Sequence, residues 1–213
     1  MKWNVSNIVF LHQPEHFMGR FDNAKMQEKH ELSLQKSLDA VKAALTAESD
    51  PLKALWLLHK KDHMQFLLNN LEEFQRNDRF EEAVIALYSV DNAPFSSGGD
   101  SALWAKLFNQ CERSRLGRCG SPFPAGIDKV YRGSVSGFKQ SLAWTPDRKI
   151  VEKFAQRWSD PALGGGELYE VAVSPENVLV FIQKSYEGVA ILSPEYVSRA
   201  DIRPYRGASR DFS

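Results

Sequence analysis

Two residues in the second half of the chain could carry chemistry. Arg132 ends the short apolar run Val130-Tyr131 and is followed by Gly133. A planar guanidinium binds two oxygens of a phosphate at once, and glycine lets a ligand approach the backbone closely. Glu187 lies between a polar turn and an apolar run, where the edge of a cleft is expected. These features predict an anion-binding arginine and a cleft-edge carboxylate; the alternative for each is a solvated surface residue.

The segments around these residues predict a β-rich second half. A helix is predicted from Pro146 to Trp158, with Thr145 as its N-cap, because proline at the first helical position and a preceding threonine favour a helix start. Short apolar runs bounded by turn residues predict strands. The predicted strands are Lys129–Arg132, Ser141–Thr145, Glu167–Val173, Val178–Gln183, Val189–Leu192 and Asp201–Tyr205.

The first half is predicted to be helical. Apolar residues recur every three to four positions up to Ala47, and Asp50 followed by Pro51 predicts a helix start. We expect one long helix over Pro51–Arg76, another over Phe80–Val90, and a third beginning near Ser101. The glycines and prolines between residues 117 and 128 mark the change to strands. The sequence thus predicts an α+β protein, with a helical region over residues 1–117 and a β-rich region over 118–213.

Composition narrows the classes of partner. Lys plus Arg equals Asp plus Glu at 27 each, so a net charge of zero makes nucleic acid and membranes unexpected partners. Two cysteines without further ligands at metal spacing predict free thiols and no metal site. The N-terminal apolar run is too short for a signal peptide, which favours a cytoplasmic protein.

Taken together, three segments resemble the ADP-ribosyltransferases of the Arg-Ser-Glu type. They are Tyr131-Arg132-Gly133, then Leu142-Ala143-Trp144-Thr145 with Pro146-Asp147-Arg148 and Phe154-Ala155, and finally Tyr186-Glu187-Gly188. The resemblance implies a split β-sheet that forms a cleft for NAD, which is the co-substrate. It implies catalytic roles for Arg132, which holds NAD, and Glu187, which stabilises the oxocarbenium-like centre. The NAD-binding residues it implies are Tyr131, Arg132, Gly133, Trp144, Thr145 and Phe154.

Two positions differ from the family pattern. Ala143 stands where the family has serine, so Ser141 or Thr145 would have to supply a supporting hydroxyl. In a gapless register Val189 stands where the family has its catalytic glutamate, and a shifted register assigns that role to Glu187. The resemblance favours an NAD-dependent ADP-ribosyltransferase that modifies a macromolecule, with a protein as the expected acceptor, or an NAD glycohydrolase of the same fold. One alternative is a catalytically inactive domain of the same fold that binds NAD, ADP-ribose or a related nucleotide, or a protein, without turnover. The other is a purely protein-binding α+β domain.

Overall fold

The computed structural model describes residues 2–10, 17, 19–90, 100–135, 138–156, 166–184 and 187–205, without the side chains of Val90, Phe154 and Lys184. The chain folds as two compact units, residues 1–100 and 101–213. The predicted change from helix to strand at residues 117 and 118 falls inside the second unit, because two helices precede the strands there. No helix among the described residues is long and apolar enough to cross a bilayer.

The described part of the first unit is built from helices. They are α1 (Ala24–Ala47), α2 (Pro51–Trp56), α3 (His63–Asn69), α4 (Leu71–Arg76) and α5 (Phe80–Val90). The predicted start at Asp50 is confirmed, since its carboxylate accepts the N–H of Leu52 at 2.9 Å. The fully buried side chains of Leu45, Leu55, Phe66, Phe74 and Val84 belong to the core of this unit.

The prediction of a single helix over Pro51–Arg76 is wrong. A 3-10 turn at Lys60–Asp62 and a break at Asn70 interrupt it. The Asp62 carboxylate accepts the N–H groups of Val9 at 3.2 Å and Phe10 at 2.9 Å. The polar side chains at the breaks therefore hold the N-terminal segment, which is a tertiary role that helical periodicity does not reveal.

The second unit contains six strands and four helices among its described residues. The strands are β1 (Lys129–Val135), β2 (Ala143–Trp144), β3 (Gly166–Ala172), β4 (Val178–Lys184), β5 (Glu187–Leu192) and β6 (Arg203–Pro204). The helices are α6 (Ser101–Gln110), α7 (Arg113–Arg118), α8 (Arg148–Gln156) and α9 (Pro194–Arg199). The mixed α+β class with N-terminal helices is therefore as predicted.

The strands form two antiparallel sheets of three, ordered β1-β3-β6 and β2-β5-β4. One isolated bridge joins β1 to β2, in which the Tyr131 N–H donates to the Thr145 oxygen at 2.7 Å and the Thr145 N–H returns a bond at 2.9 Å. Among the described residues, the two sheets thus share one backbone bridge at their facing edges.

Helix α8 begins two residues later than predicted. Thr145 is held in the strand bridge by its own backbone, so it cannot take the N-cap position of the helix. Asp147 does so instead, because its carboxylate accepts the Lys149 N–H at 2.9 Å. The last two residues of the predicted helix lie outside the described residues. The helix packs against β1 and β3 and buries Ile150 and Val151.

Candidate functional site

The ladder between β1 and β2 stops after one bridge. The Leu142 carbonyl accepts the N–H of Leu192 in β5 at 2.8 Å. Because backbone groups alternate in direction along a strand, the N–H and C=O of Ala143 turn the other way, toward β1. In the register set by Tyr131 and Thr145, the residue opposite Ala143 is Gly133. No bridge joins these two residues in the part of the chain that the structure describes.

Side chains take the place of the missing bridge at Ala143. A guanidinium nitrogen of Arg132, Nη1, donates to the Ala143 carbonyl oxygen at 3.2 Å. The Ser141 hydroxyl oxygen, Oγ, accepts the Ala143 N–H at 3.3 Å. Both groups would otherwise face the opening between the strands unsatisfied, which is costly for partly buried backbone. Arg132 and Ser141 thus stabilise the point where the two sheets part.

Gly133 presents its backbone to the same opening. It lies two residues after Tyr131, so its N–H and C=O point to the same side as those of Tyr131, toward β2. The residue is half-buried. The opening therefore has a guanidinium beside it and one backbone residue that offers both a donor and an acceptor.

Tyr131 lies on the other face of β1 from Arg132, since consecutive strand residues point to opposite faces. Its ring is 5.2 Å from that of Tyr205, and the Arg148 guanidinium lies 5.6 Å and 4.9 Å from the two ring centres. Arg148 also donates to the Tyr205 hydroxyl. The structure thus brings Tyr131 together with Arg148 of α8 and with Tyr205, which follows β6, and places its side chain on the opposite face of β1 from Arg132.

The other predicted NAD-binding side chains divide into two groups. Trp144 and Thr145 are buried, at 2% and 6% exposed. The Trp144 indole donates to the Ser141 carbonyl at 2.6 Å, and the Thr145 hydroxyl accepts the Asp147 N–H at 3.1 Å. Both side chains therefore support the strand and the helix start. Phe154 lies in α8, and its side chain is outside the described residues.

Glu187 and Val189 lie on one face of β5, because they are two residues apart in a strand. Glu187 pairs with Lys184, and Val189 pairs with Ile182. Both are half-buried. Trp144 pairs with Ala190, and this register, continued by one residue, sets Val189 opposite Thr145. Along β5, Val189 thus lies two residues closer than Glu187 to Ile191, the residue that pairs with Ala143. The catalytic role of Glu187 stays a prediction.

Gly188, which lies between Glu187 and Val189, approaches the neighbouring strand β4 closely. A Cβ atom at Gly188 would lie 2.3 Å from the ring atom Cζ of Phe181 in β4. Only glycine fits at this distance without a shift of the ring or the strand. Because consecutive strand residues point to opposite faces, the side chains of Glu187 and Val189 lie on the face of β5 away from Phe181.

Sequence reasoning missed the cluster of Arg148 and Tyr205, for which the chain offers no local signal. A cavity of about 570 Å³ lies along β4 among Phe123, Pro175 and Leu179, and none of its lining residues belongs to β1 or β2. This cavity therefore differs from the candidate site. Within the described ranges, no group of three or more His, Cys, Asp or Glu side chains is placed to hold a metal ion.

Comparisons of the chain with protein-family models, with curated proteins and with solved structures give no match.

Proposed function

We propose that the opening between β1 and β2 binds NAD and that the protein cleaves the nicotinamide–ribose bond. ADP-ribose would pass to a macromolecular acceptor, with a protein favoured, or to water. The observation that supports this proposal best is that β1 and β2 share one bridge in the described part of the chain, with Arg132 and Gly133 directly beside it. Two sheets that part at one bridge agree with the split sheet expected of an ADP-ribosyltransferase.

The backbone of Gly133 suits the carboxamide of nicotinamide. A primary amide carries an acceptor oxygen and two N–H donors, so it can pair with the N–H and the C=O of one strand residue. A side chain larger than hydrogen at this position would narrow the approach to the backbone. Arg132 would hold the diphosphate, because a guanidinium stays charged and matches phosphate oxygens in pairs.

Glu187 is the proposed carboxylate of the reaction. The nicotinamide nitrogen in NAD is cationic, so the C1′–N bond breaks with its electron pair moving to that nitrogen, and nicotinamide leaves as a neutral molecule. Positive charge develops on the ribose, where a fixed carboxylate stabilises it. A nucleophilic oxygen or nitrogen of the acceptor then forms a bond to C1′ and loses its proton; water gives free ADP-ribose.

Nicotinamide release from NAD, measured by liquid chromatography, tests the reaction. Wild-type protein should release nicotinamide, and Glu187→Gln should reduce the rate by about 100-fold, the effect of removing one electrostatic partner of a transition state. Glu195→Gln is the matched control, since Glu195 is an exposed glutamate of the same unit paired with Arg199. The proposal fails if wild type releases no nicotinamide or if Glu187→Gln is as active as wild type.

A second candidate function is binding of NAD or ADP-ribose without turnover. One observation favours it: the position on β5 opposite Thr145 is held by the apolar Val189. The Glu187 carboxylate is two residues from Val189, at the first residue of β5. It would have to reach the reacting carbon from that position. Calorimetric binding of ADP-ribose together with no nicotinamide release would select this function.

A further inference from the structure

Four polar side chains share one face of the ladder between β1 and β3. Arg132 pairs with Tyr169, and Ser134 pairs with Glu167. Paired residues of an antiparallel ladder direct their side chains to the same face, and so do residues two apart along a strand. Glu167 is therefore a diagonal neighbour of Arg132, at the roughly 7–8 Å that long side chains can reach across. A carboxylate that the proposed reaction does not use thus lies beside the proposed phosphate-binding arginine.

Tyr169 fixes the carboxylate of Glu167. The Tyr169 hydroxyl donates to Oε2 of Glu167, two residues away in the same strand. Tyr169 and Ser134 are only 2% and 6% exposed, whereas Glu167 and Arg132 are half-buried. The tyrosine thus belongs to the core and holds the carboxylate, while both charged residues keep part of their surface open. A carboxylate has about four acceptor sites on its two oxygens, so it can accept the tyrosine and two ligand hydroxyls together.

Strand β1 lies between Glu167 and the opening. One edge of β1 carries the full ladder to β3, and the other edge carries the bridge to β2 at Tyr131. A diphosphate on Arg132 would therefore have the opening on one side and Glu167 on the other. With the nicotinamide half of NAD in the opening at Gly133, the adenosine half is directed toward β3 and Glu167.

We propose that Glu167 binds the 2′- and 3′-hydroxyls of the adenosine ribose and makes the site select a dinucleotide without a 2′-phosphate. This role of Glu167 rests on the proposed function, because it requires the diphosphate to lie on Arg132. Ribose hydroxyls donate hydrogen bonds to a carboxylate, which is how an acidic residue recognises the ribose of NAD in dinucleotide-binding folds. A 2′-phosphate would instead place negative charge against the same carboxylate and offer it no donor, which is unfavourable.

Calorimetric titration with ADP-ribose and with ADP-ribose 2′-phosphate tests the proposal. Neither ligand contains the bond that the proposed reaction breaks. Wild-type protein should bind ADP-ribose at least about tenfold more tightly than the 2′-phosphate, since hydrogen bonds to a charged group contribute about this factor or more. Glu167→Gln should weaken ADP-ribose binding by about tenfold without weakening binding of the 2′-phosphate, because glutamine keeps the shape of the side chain and removes its charge.

Glu170→Gln is the matched control. Glu170 lies in the same strand, three residues after Glu167 and hence on the opposite face, where it pairs with Lys129 at 3.1 Å. This variant should keep the wild-type preference. Tyr169→Phe removes the hydroxyl that holds Glu167 but keeps the ring in the core, so it should reduce the preference by about threefold, the effect of one hydrogen bond. Circular dichroism checks that each variant is folded, and Tyr169→Phe decides the outcome if Glu167→Gln is not.

Three results would overturn the role of Glu167. Wild type could bind the 2′-phosphate as tightly as ADP-ribose or more tightly. Glu167→Gln could weaken both ligands by the same factor, which would show that Glu167 only orients the Arg132 guanidinium. The Glu167 and Glu170 variants could have equal effects. In each of these cases, binding of ADP-ribose would still support the proposed function. Absence of ADP-ribose binding together with no nicotinamide release from NAD would overturn the proposed function, and the role of Glu167 with it.

Discussion

The Arg132 guanidinium donates to the carbonyl oxygen of Ala143 at 3.2 Å, in the row where a second bridge between β1 and β2 would form in a continuous sheet. The side chain of one strand thus bonds a backbone group of the next strand and leaves the backbone of Gly133 turned toward the opening. An arginine in this place has two effects that can be measured separately, one on stability and one on ligand binding.

Arg132→Ala should weaken binding of ADP-ribose by at least about tenfold, because charge-assisted hydrogen bonds contribute roughly 1.5–3 kcal/mol. The same change should lower the free energy of unfolding by about 1–3 kcal/mol, since the Ala143 oxygen loses its donor. Calorimetric titration and urea unfolding measure the two effects. Arg199→Ala, at an exposed helix position of the same unit, should change neither. Unchanged ADP-ribose affinity in Arg132→Ala would contradict the assignment.

Val189→Glu should raise the rate of nicotinamide release by about tenfold or more. The new carboxylate would extend from the position opposite Thr145, closer to the opening than Glu187 is, and would stabilise positive charge there. Val189→Gln is the control, because glutamine has nearly the same size without the charge. Equal rates for the glutamate and glutamine variants, measured by chromatography, would show that position 189 does not face the reacting carbon.

Gly188→Ala should destabilise the protein by about 1–3 kcal/mol, the usual cost of overpacking a tight contact. The added Cβ would lie 2.3 Å from Cζ of Phe181, whose ring is buried at 4% exposed. Gly117→Ala offers the opposite case, since this glycine lies in α7 and a Cβ there meets nothing within 4 Å. It should stabilise by about 0.5–1 kcal/mol, because alanine favours helix over glycine. Urea midpoints that shift in the same direction for both would contradict this account.

Local signals in the sequence predicted much of the fold. The helix start at Asp50 and the helix Phe80–Val90 were correct, because caps and periodicity depend on residues within a few positions. The breaks in the predicted helix Pro51–Arg76 could not be predicted, because Asp62 bonds residues more than fifty positions away. Hydrogen bonds to residues distant in sequence thus determine where the helix breaks, although the apolar pattern continues through the break.

The candidate site was predictable only in part. Arg132 and Gly133 were identified from residue type and spacing, and the structure places both beside the opening between β1 and β2. The partner of Arg132 is a backbone oxygen of Ala143, an atom that every residue type provides, so no sequence motif marks it. The burial of Trp144 could not be predicted either. Strand β2 has only two residues, so its sequence shows no alternation of apolar and polar residues from which the buried face could be identified.

Asp50 gives the protein a dependence of stability on acid pH. Burial raises the pKa of this carboxyl, but the N–H of Leu52 and the guanidinium of Arg79 together outweigh it, so the pKa lies below its ordinary value of 3.8. The folded state therefore binds fewer protons here than the unfolded chain. The stabilisation by Asp50 is complete above the ordinary pKa and is lost as the pH falls through the lower, folded-state pKa.

Asp50→Asn separates the charge from the cap, because asparagine keeps an N-cap oxygen but cannot ionise. Near pH 7 this variant should be less stable than wild type by roughly 0.5–1 kcal/mol, the contribution of a partly exposed ion pair with Arg79. The difference should shrink as the pH is lowered from about 5 to about 2, as wild type alone loses the charge. Urea unfolding across this range measures it, with Asp22→Asn as an exposed control that should follow wild type. A difference that stays constant down to acid pH would show that the charge of Asp50 does not stabilise the folded state.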